Sequence, residues 1–219
     1  MAARRQKPDT NKTGQVRITA GQWRGRKIPV PTVQGLRPTG DRVRETLFNW
    51  LQAYTAGANC LDLFAGSGVL GFEALSRHAR RVTFVELDPV ALHNIEQSCR
   101  LLQIATNKQS GDAGSGSDEP RQKAHLVAGS AMRALDQWAQ QDSFAKFDLV
   151  FIDPPFQLNC QWAMLDSLVP RLLSDTACVY IEAPLGQPLP LELPAGCEIV
   201  REKEAGEVAF RLVKYCKPA

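Results

Sequence analysis

From residue 60 to residue 182 short apolar runs alternate with segments of helical periodicity. That alternation constrains the fold more than any other feature of the 219-residue chain. Strands are predicted at 60–64, 82–87, 124–128, 147–152 and 177–182, and helices at 69–77, 90–102, 131–139 and 161–173. A helix between successive strands carries the chain back across a sheet, which makes the strands parallel with helices on both faces. Two further strands, 197–203 and 208–215, are separated only by Glu204-Ala205-Gly206-Glu207. A link that short cannot make a parallel crossover, so these two form an antiparallel hairpin. The expectation is an α/β chain with a seven-stranded sheet, parallel except at its closing hairpin.

The chain ahead of this pattern differs in charge. Residues 1–50 carry 11 Lys and Arg against 3 Asp and Glu, whereas the whole chain carries 26 against 23. A basic N-terminal fifth on a mildly acidic body suits a polyanion, most simply nucleic acid. Residues 1–14 read as a flexible basic tail, and 15–56 as an extension with two short strands, 15–19 and 26–30, around a turn carrying Trp23 and Arg24. A helix is expected from Asp41 to about Tyr54, with Val43, Leu47, Leu51 and Tyr54 on its apolar face and Arg42, Arg44 and Glu45 pointing elsewhere. Residues 57–219 form the α/β domain, and the Gly/Ser-rich stretch 106–122 reads as a flexible insertion in it.

Composition excludes several classes. With 44% hydrophobic and 22% charged residues the chain is globular. No apolar run approaches the roughly 18 residues of a membrane span, and the N-terminus has no apolar signal core. None of the six cysteines stands in a C-x-x-C pair and several fall in apolar runs, so reduced, buried thiols in a cytoplasmic protein are expected. His78, His93 and His125 do not cluster with other ligands, so no metal is expected.

The first strand of the alternating region runs into Asp62-Leu63-Phe64-Ala65-Gly66-Ser67-Gly68-Val69-Leu70-Gly71. Glycines there let the backbone approach a ligand, and the following helix offers free N–H groups. Glu86 lies 20 residues past Gly66, at the end of the second strand, where a carboxylate accepts from ribose hydroxyls. Asp62, inside the strand, is awkward beside a pyrophosphate. It suits a nucleoside cofactor with a cationic amino acid end, such as S-adenosyl-L-methionine.

A second motif ends the strand at 147–152: Asp153-Pro154-Pro155-Phe156. The prolines stiffen the turn and remove two N–H donors. A carboxylate, bare carbonyls and an aromatic face remain at the carboxyl end of a parallel strand, where open α/β sheets bind ligands. An exocyclic base amine needs acceptors for its two hydrogens and a face for its ring.

The D-x-F-x-G-x-G pattern resembles motif I of the class I S-adenosylmethionine-dependent methyltransferases. That resemblance implies a cofactor site of Asp62, Phe64, Gly66, Gly68 and Glu86, with Leu87 beside the adenine. Asp-Pro-Pro-Phe resembles motif IV of the enzymes that methylate exocyclic amines, implying Asp153, Pro154 and Phe156 as the catalytic set. Two N-terminal strings, Arg17-Ile-Thr-Ala-Gly-Gln-Trp-Arg-Gly-Arg-Lys-Ile-Pro-Val and Leu36-Arg-Pro-Thr-Gly-Asp-Arg-Val-Arg-Glu-Thr-Leu-Phe-Asn-Trp-Leu51, are similar to the N-terminus of the RsmD family. Members of that family methylate the N2 amine of a guanine in 16S ribosomal RNA. The similarity spans about 16–215. Many relatives carry an acid where this chain has Ser130, and Ser130 is the expected, weaker acceptor for the cofactor's adenine amine.

The expected activity is therefore methyl transfer from S-adenosyl-L-methionine to a guanine N2 amine of 16S ribosomal RNA within the small subunit, by a monomer. Arg17, Trp23, Arg24, Arg26, Lys27, Arg37 and Arg42 are the expected RNA contacts. Two rivals share parts of the pattern. A DNA adenine-N6 or cytosine-N4 amino-methyltransferase has both motifs but needs extra chain for sequence reading. A nicotinamide-dependent oxidoreductase fits the glycines and Glu86 but leaves Asp153-Pro-Pro-Phe156 without a task.

Overall fold

The computed structural model describes residues 14–33, 39–107, 123–141 and 145–218. The basic tail up to residue 13, Arg37, and 108–122 of the expected insertion lie outside the described residues. The chain opens with an antiparallel hairpin of β1 (Gly14–Arg17) and β2 (Lys27–Val30), followed by α1 (Asp41–Trp50). Next come β3 (Asn59–Asp62), α2 (Val69–Ser76), β4 (Arg81–Glu86), α3 (Pro89–Leu102) and the two-residue β5 (Ala105–Thr106). The rest is β6 (Lys123–Ala128), α4 (Ala131–Ala139), β7 (Phe147–Ile152), α5 (Gln161–Leu168), β8 (Leu173–Pro184), β9 (Cys197–Ala205) and β10 (Val208–Cys216).

The main sheet runs in the order β5-β6-β4-β3-β7-β8-β10-β9. Its strands are parallel except β10, which pairs antiparallel with both β8 and β9. The α/β reading with its closing hairpin holds. The difference is an eighth strand, β5, too short to leave a periodic signal, at the edge beside β6. From β3 the chain steps outward to β4, β5 and β6, then crosses back to β7 on the other side of β3. In open sheets such a reversal marks the crevice where ligands bind, here outside the carboxyl ends of β3 and β7.

Two apolar layers cover the two faces. One joins Phe72, Phe84 and Phe151 with Val16, Ile18, Ile28, Leu47 and Phe48 of the extension. The other packs α4 and α5, including Trp138, on Leu61, Val150 and Val179. The extension thus buries its apolar residues in the same layer as the α/β domain.

Three sequence expectations change. The helix expected at 161–173 stops at Leu168, because Pro170 cannot continue it, and Leu173 already begins β8. Helix α1 ends at Trp50 and leaves Tyr54 43% exposed. Its inward face is Arg44, Leu47, Phe48 and Leu51, so Arg44 points into the protein and is fully buried. A charged group survives there because four acceptors surround it. Arg44 donates to the carbonyls of Thr39 (2.7 Å) and Arg17 (2.6 Å) and to Asp41 (2.9 Å), and its Nε lies 3.5 Å from Glu73. Cys216 is exposed and Cys160 and Cys197 are half-buried, while Cys60, Cys99 and Cys178 are buried thiols as expected.

Candidate active site

Both sequence motifs arrive at the crevice. β3 delivers Asp62, which pairs across the sheet with Phe151, and the Leu63 N–H donates to the Phe151 carbonyl at 3.1 Å. The chain then turns through Gly66 (φ 54°) and Gly68 (φ 77°), left-handed conformations that favour glycine. Gly68 also caps α2, and Gly71 lets that helix lie on β4: a Cβ there would fall 2.2 Å from the Phe84 ring.

Glu86 ends β4 beside this turn. Its carboxylate accepts from the Gly66 N–H at 2.6 Å and the Asp88 N–H at 2.8 Å, which fixes the acid against the glycine loop. A carboxylate has about four lone-pair sites, so it keeps acceptor capacity for a diol. Asp62 is buried and accepts from the Gly71 N–H at 3.1 Å. Burial, with the Glu86 charge adding to it against the Gly71 hydrogen bond, pushes its carboxyl up to about 7. Such a group is stabilised by a cation. Leu87, directly after Glu86, is 72% exposed, and Phe64, two residues past Asp62, is half-buried. Ser130 is the N-cap of α4 and accepts from the Arg133 N–H at 3.4 Å, so its oxygen is already partly used.

Across the crevice, β7 ends at Ile152 and Asp153 follows. Asp153 is half-buried and accepts from the Thr39 hydroxyl at 3.1 Å. Burial first, then the charge of Glu182, raises its carboxyl well above the ordinary range, and the Thr39 hydrogen bond opposes that rise. Pro154 is buried, whereas Phe156 opens a short 3-10 turn and stays 36% exposed, available to a ring from outside.

Sequence reasoning missed Thr39 and Glu182. Ile152 pairs with Ile181, so Glu182 ends its stretch of β8 level with Asp153. It is buried and accepts from the Tyr180 hydroxyl at 2.7 Å. An acid at the carboxyl end of a parallel strand was the available signal. Thr39 stood in the family-like string Leu36–Leu51 but was given no role of its own.

The expected RNA residues lie on the extension but not all alike. Arg24, Arg26, Lys27 and Arg42 are exposed. The Arg17 side chain is 62% exposed, 3.7 Å from Asp41, and with Arg24 it lines a hollow of about 150 Å³. Trp23 is half-buried against the core, its backbone N–H donating to the Ser76 hydroxyl at 3.0 Å. The hairpin turn therefore sits on the C-terminal end of α2, at the opposite end of that helix from the glycine loop, while Thr39, just ahead of α1, reaches Asp153. Among the described residues no group of three or more His, Cys, Asp and Glu is placed to hold a metal, and no helix is long and apolar enough to cross a membrane.

This sheet order, glycine turn and strand-end acids define a class I S-adenosylmethionine-dependent methyltransferase fold. A protein family described as conserved hypothetical protein 95 matches residues 16–214. An Escherichia coli K12 protein named ribosomal RNA small subunit methyltransferase D is 42% identical over 207 residues, covering 94% of this chain and 93% of that one. A solved structure of the Escherichia coli protein yhhF is 38% identical, with a TM-score of 0.76 over 94% of this chain and 100% of its own. An RNA methyltransferase from Salinibacter ruber, solved with S-adenosyl-L-homocysteine, has a TM-score of 0.56 at 13% identity over 84% of this chain and 96% of that one, a likeness of fold alone. The chain belongs to the conserved hypothetical protein 95 family, the RsmD family that its N-terminal strings resemble.

Proposed function

We propose that this protein transfers a methyl group from S-adenosyl-L-methionine to the exocyclic N2 amine of a guanine in 16S ribosomal RNA of the small subunit. The observation that carries the reading is the placement of the Gly66–Gly71 turn with Glu86 on one side of the crevice and Asp153 with Phe156 on the other. The relative named as a small-subunit ribosomal RNA methyltransferase, similar over most of both chains, supports the substrate class.

The residues present fit the cofactor. Glu86 has acceptor capacity for two ribose hydroxyls, and Asp62 is a buried carboxylate suited to an ammonium group. The bound cofactor supplies a methyl group already activated by its sulfonium, so neither a metal nor a covalent intermediate is called for. The protein's task is orientation. A guanine N2 amine is conjugated with its ring and is a poor nucleophile. Asp153 and the Pro154 carbonyl accept its hydrogens, favouring a pyramidal nitrogen whose lone pair faces the methyl group. Phe156 stacks on the base. Ionised, Asp153 offers both oxygens as acceptors, whereas a protonated carboxyl turns one of them into a donor. Arg17, Trp23, Arg24, Arg26, Lys27, Arg37 and Arg42 of the extension hold the RNA.

Tritiated methyl transfer to small ribosomal subunits, naked ribosomal RNA and duplex DNA tests the assignment. Incorporation into subunits or ribosomal RNA is expected, and incorporation into DNA alone would overturn it.

A further inference from the structure

Asp153 is not held by its own strand alone. Phe48 of α1 packs on Phe151, ring centroids 5.9 Å apart, and Phe151 packs on Tyr180 at 6.4 Å. Alternation along β7 and β8 puts Asp153 and Glu182 on this same face, one step beyond those rings. Helix α1 therefore covers the sheet just below the two acids, and Thr39, two residues ahead of it, reaches Asp153. Thr39, 7% exposed, gives its hydroxyl to Asp153 at 3.1 Å. Its carbonyl is gripped at 2.7 Å by Arg44, which is tied in turn to Arg17, Asp41 and Glu73. Thr39 cannot shift without disturbing a buried guanidinium, so its hydroxyl is presented to the carboxylate from a fixed backbone.

We infer that Thr39 is a positioning residue for methyl transfer: anchored by Arg44, it fixes the orientation of the Asp153 carboxylate toward the target amine. The inference rests on Asp153 acting on that amine. A Thr hydroxyl has one proton, and donating it to one carboxylate oxygen leaves the other for the substrate. The groups acting electrostatically on Asp153 are Glu182 on β8 and Asp62 on β3, both of which disfavour its ionised form, with Tyr180 next to Glu182. The hydroxyl of Thr39 favours the ionised form, the one in which both oxygens accept. Removing it thus loses both orientation and ionisation, and the two losses are measurable separately.

The test uses the full-length protein in single-turnover methyl transfer to small ribosomal subunits across pH 5.5–9, comparing Thr39→Val, Thr39→Ser, Asp153→Asn and the double variant Thr39→Val/Asp153→Asn. Thr39→Val is expected to lower the rate at pH 7 about ten- to a hundredfold. The acidic limb of its profile should move to higher pH, with S-adenosylmethionine affinity by calorimetry unchanged. Thr39→Ser should restore most of the rate, and Thr39→Val should cost nothing further in the Asp153→Asn background. Thr39→Ala replaces Thr39→Val in the same comparisons if valine fails to pack. An impaired Asp153→Asn beside a parent-like Thr39→Val overturns the inference alone. So does a Thr39→Val loss of equal size in the Asp153→Asn background, or failure of Thr39→Ser to restore the rate. Parent rates in both single variants overturn the role of Asp153 and the inference with it.

Discussion

Arg44 and Glu73, both fully buried, face one another at 3.5 Å across the junction between the N-terminal extension and the α/β domain. Glu73 also accepts from the Thr19 N–H at 2.7 Å and lies 3.6 Å from Arg77, whose guanidinium stands over the Phe48 ring. The extension is thereby locked to α2 by charge as well as by apolar contact. Removing Arg44 leaves the Glu73 charge in the interior with only Arg77 and the Thr19 N–H beside it. Arg44→Met should cost about 3 kcal/mol, read as a lower urea midpoint, and Arg44→Met/Glu73→Leu should recover part of it. An unchanged midpoint in Arg44→Met would show that the pair does not hold the junction.

Much of this fold was legible in the sequence because strands and helices alternated cleanly from residue 60 on. The Gly66–Gly71 turn, Glu86 and Asp153 stand at fixed positions relative to strand ends, so their placement at the carboxyl edge of the sheet could also be read. Arg44 could not. Helical spacing assigns faces by hydropathy, and a buried arginine with four acceptors from distant parts of the chain looks like a solvated one. Thr39 was hidden for the same reason: its partner Asp153 lies 114 residues away, and only the packing of α1 on β7 brings them together. The end of α5 was misplaced because apolar residues continue past Pro170 into β8.

Asp62 gives the cofactor-free protein a distinctive pH dependence. Its carboxyl is raised to about 7 in the folded state from an unfolded value near 4, so between those pH values the folded state binds more protons than the unfolded one. This group's contribution to stability is full below about pH 4 and is lost as pH rises through about 7. Asp62→Asn removes the buried charge while keeping an oxygen for the Gly71 N–H. It should stabilise the cofactor-free protein at pH 8 by an amount on the order of 3 kcal/mol, read as a higher melting temperature, with little change at pH 4. Cofactor affinity should fall. A variant no more stable than the parent at pH 8 would contradict the raised value.

Glu86→Ala removes the acceptors assigned to the ribose hydroxyls and frees the Gly66 and Asp88 N–H groups. Binding of S-adenosylmethionine, measured by calorimetry, should weaken by about 1–3 kcal/mol. Tight NAD binding with no S-adenosylmethionine binding by the parent protein would contradict the cofactor assignment.

The basic extension should act on RNA affinity alone. Arg24 and Lys27 are exposed and lie on the hairpin seated away from the glycine loop. Arg24→Glu/Lys27→Glu should weaken RNA binding and lower the slope of log affinity against log salt by about two. Cofactor affinity should not change. An unaltered slope would mean these side chains are a solvated face.

The most direct test identifies the methylated nucleoside. Small ribosomal subunits lacking the modification are incubated with the protein and S-adenosylmethionine, and their ribosomal RNA is digested and analysed by mass spectrometry. N2-methylguanosine formed by the parent protein, and strongly reduced with Asp153→Ala, is the expected result. Formation of N6-methyladenosine or N4-methylcytidine in place of N2-methylguanosine, or undiminished N2-methylguanosine from the Asp153→Ala protein at single turnover, would contradict it.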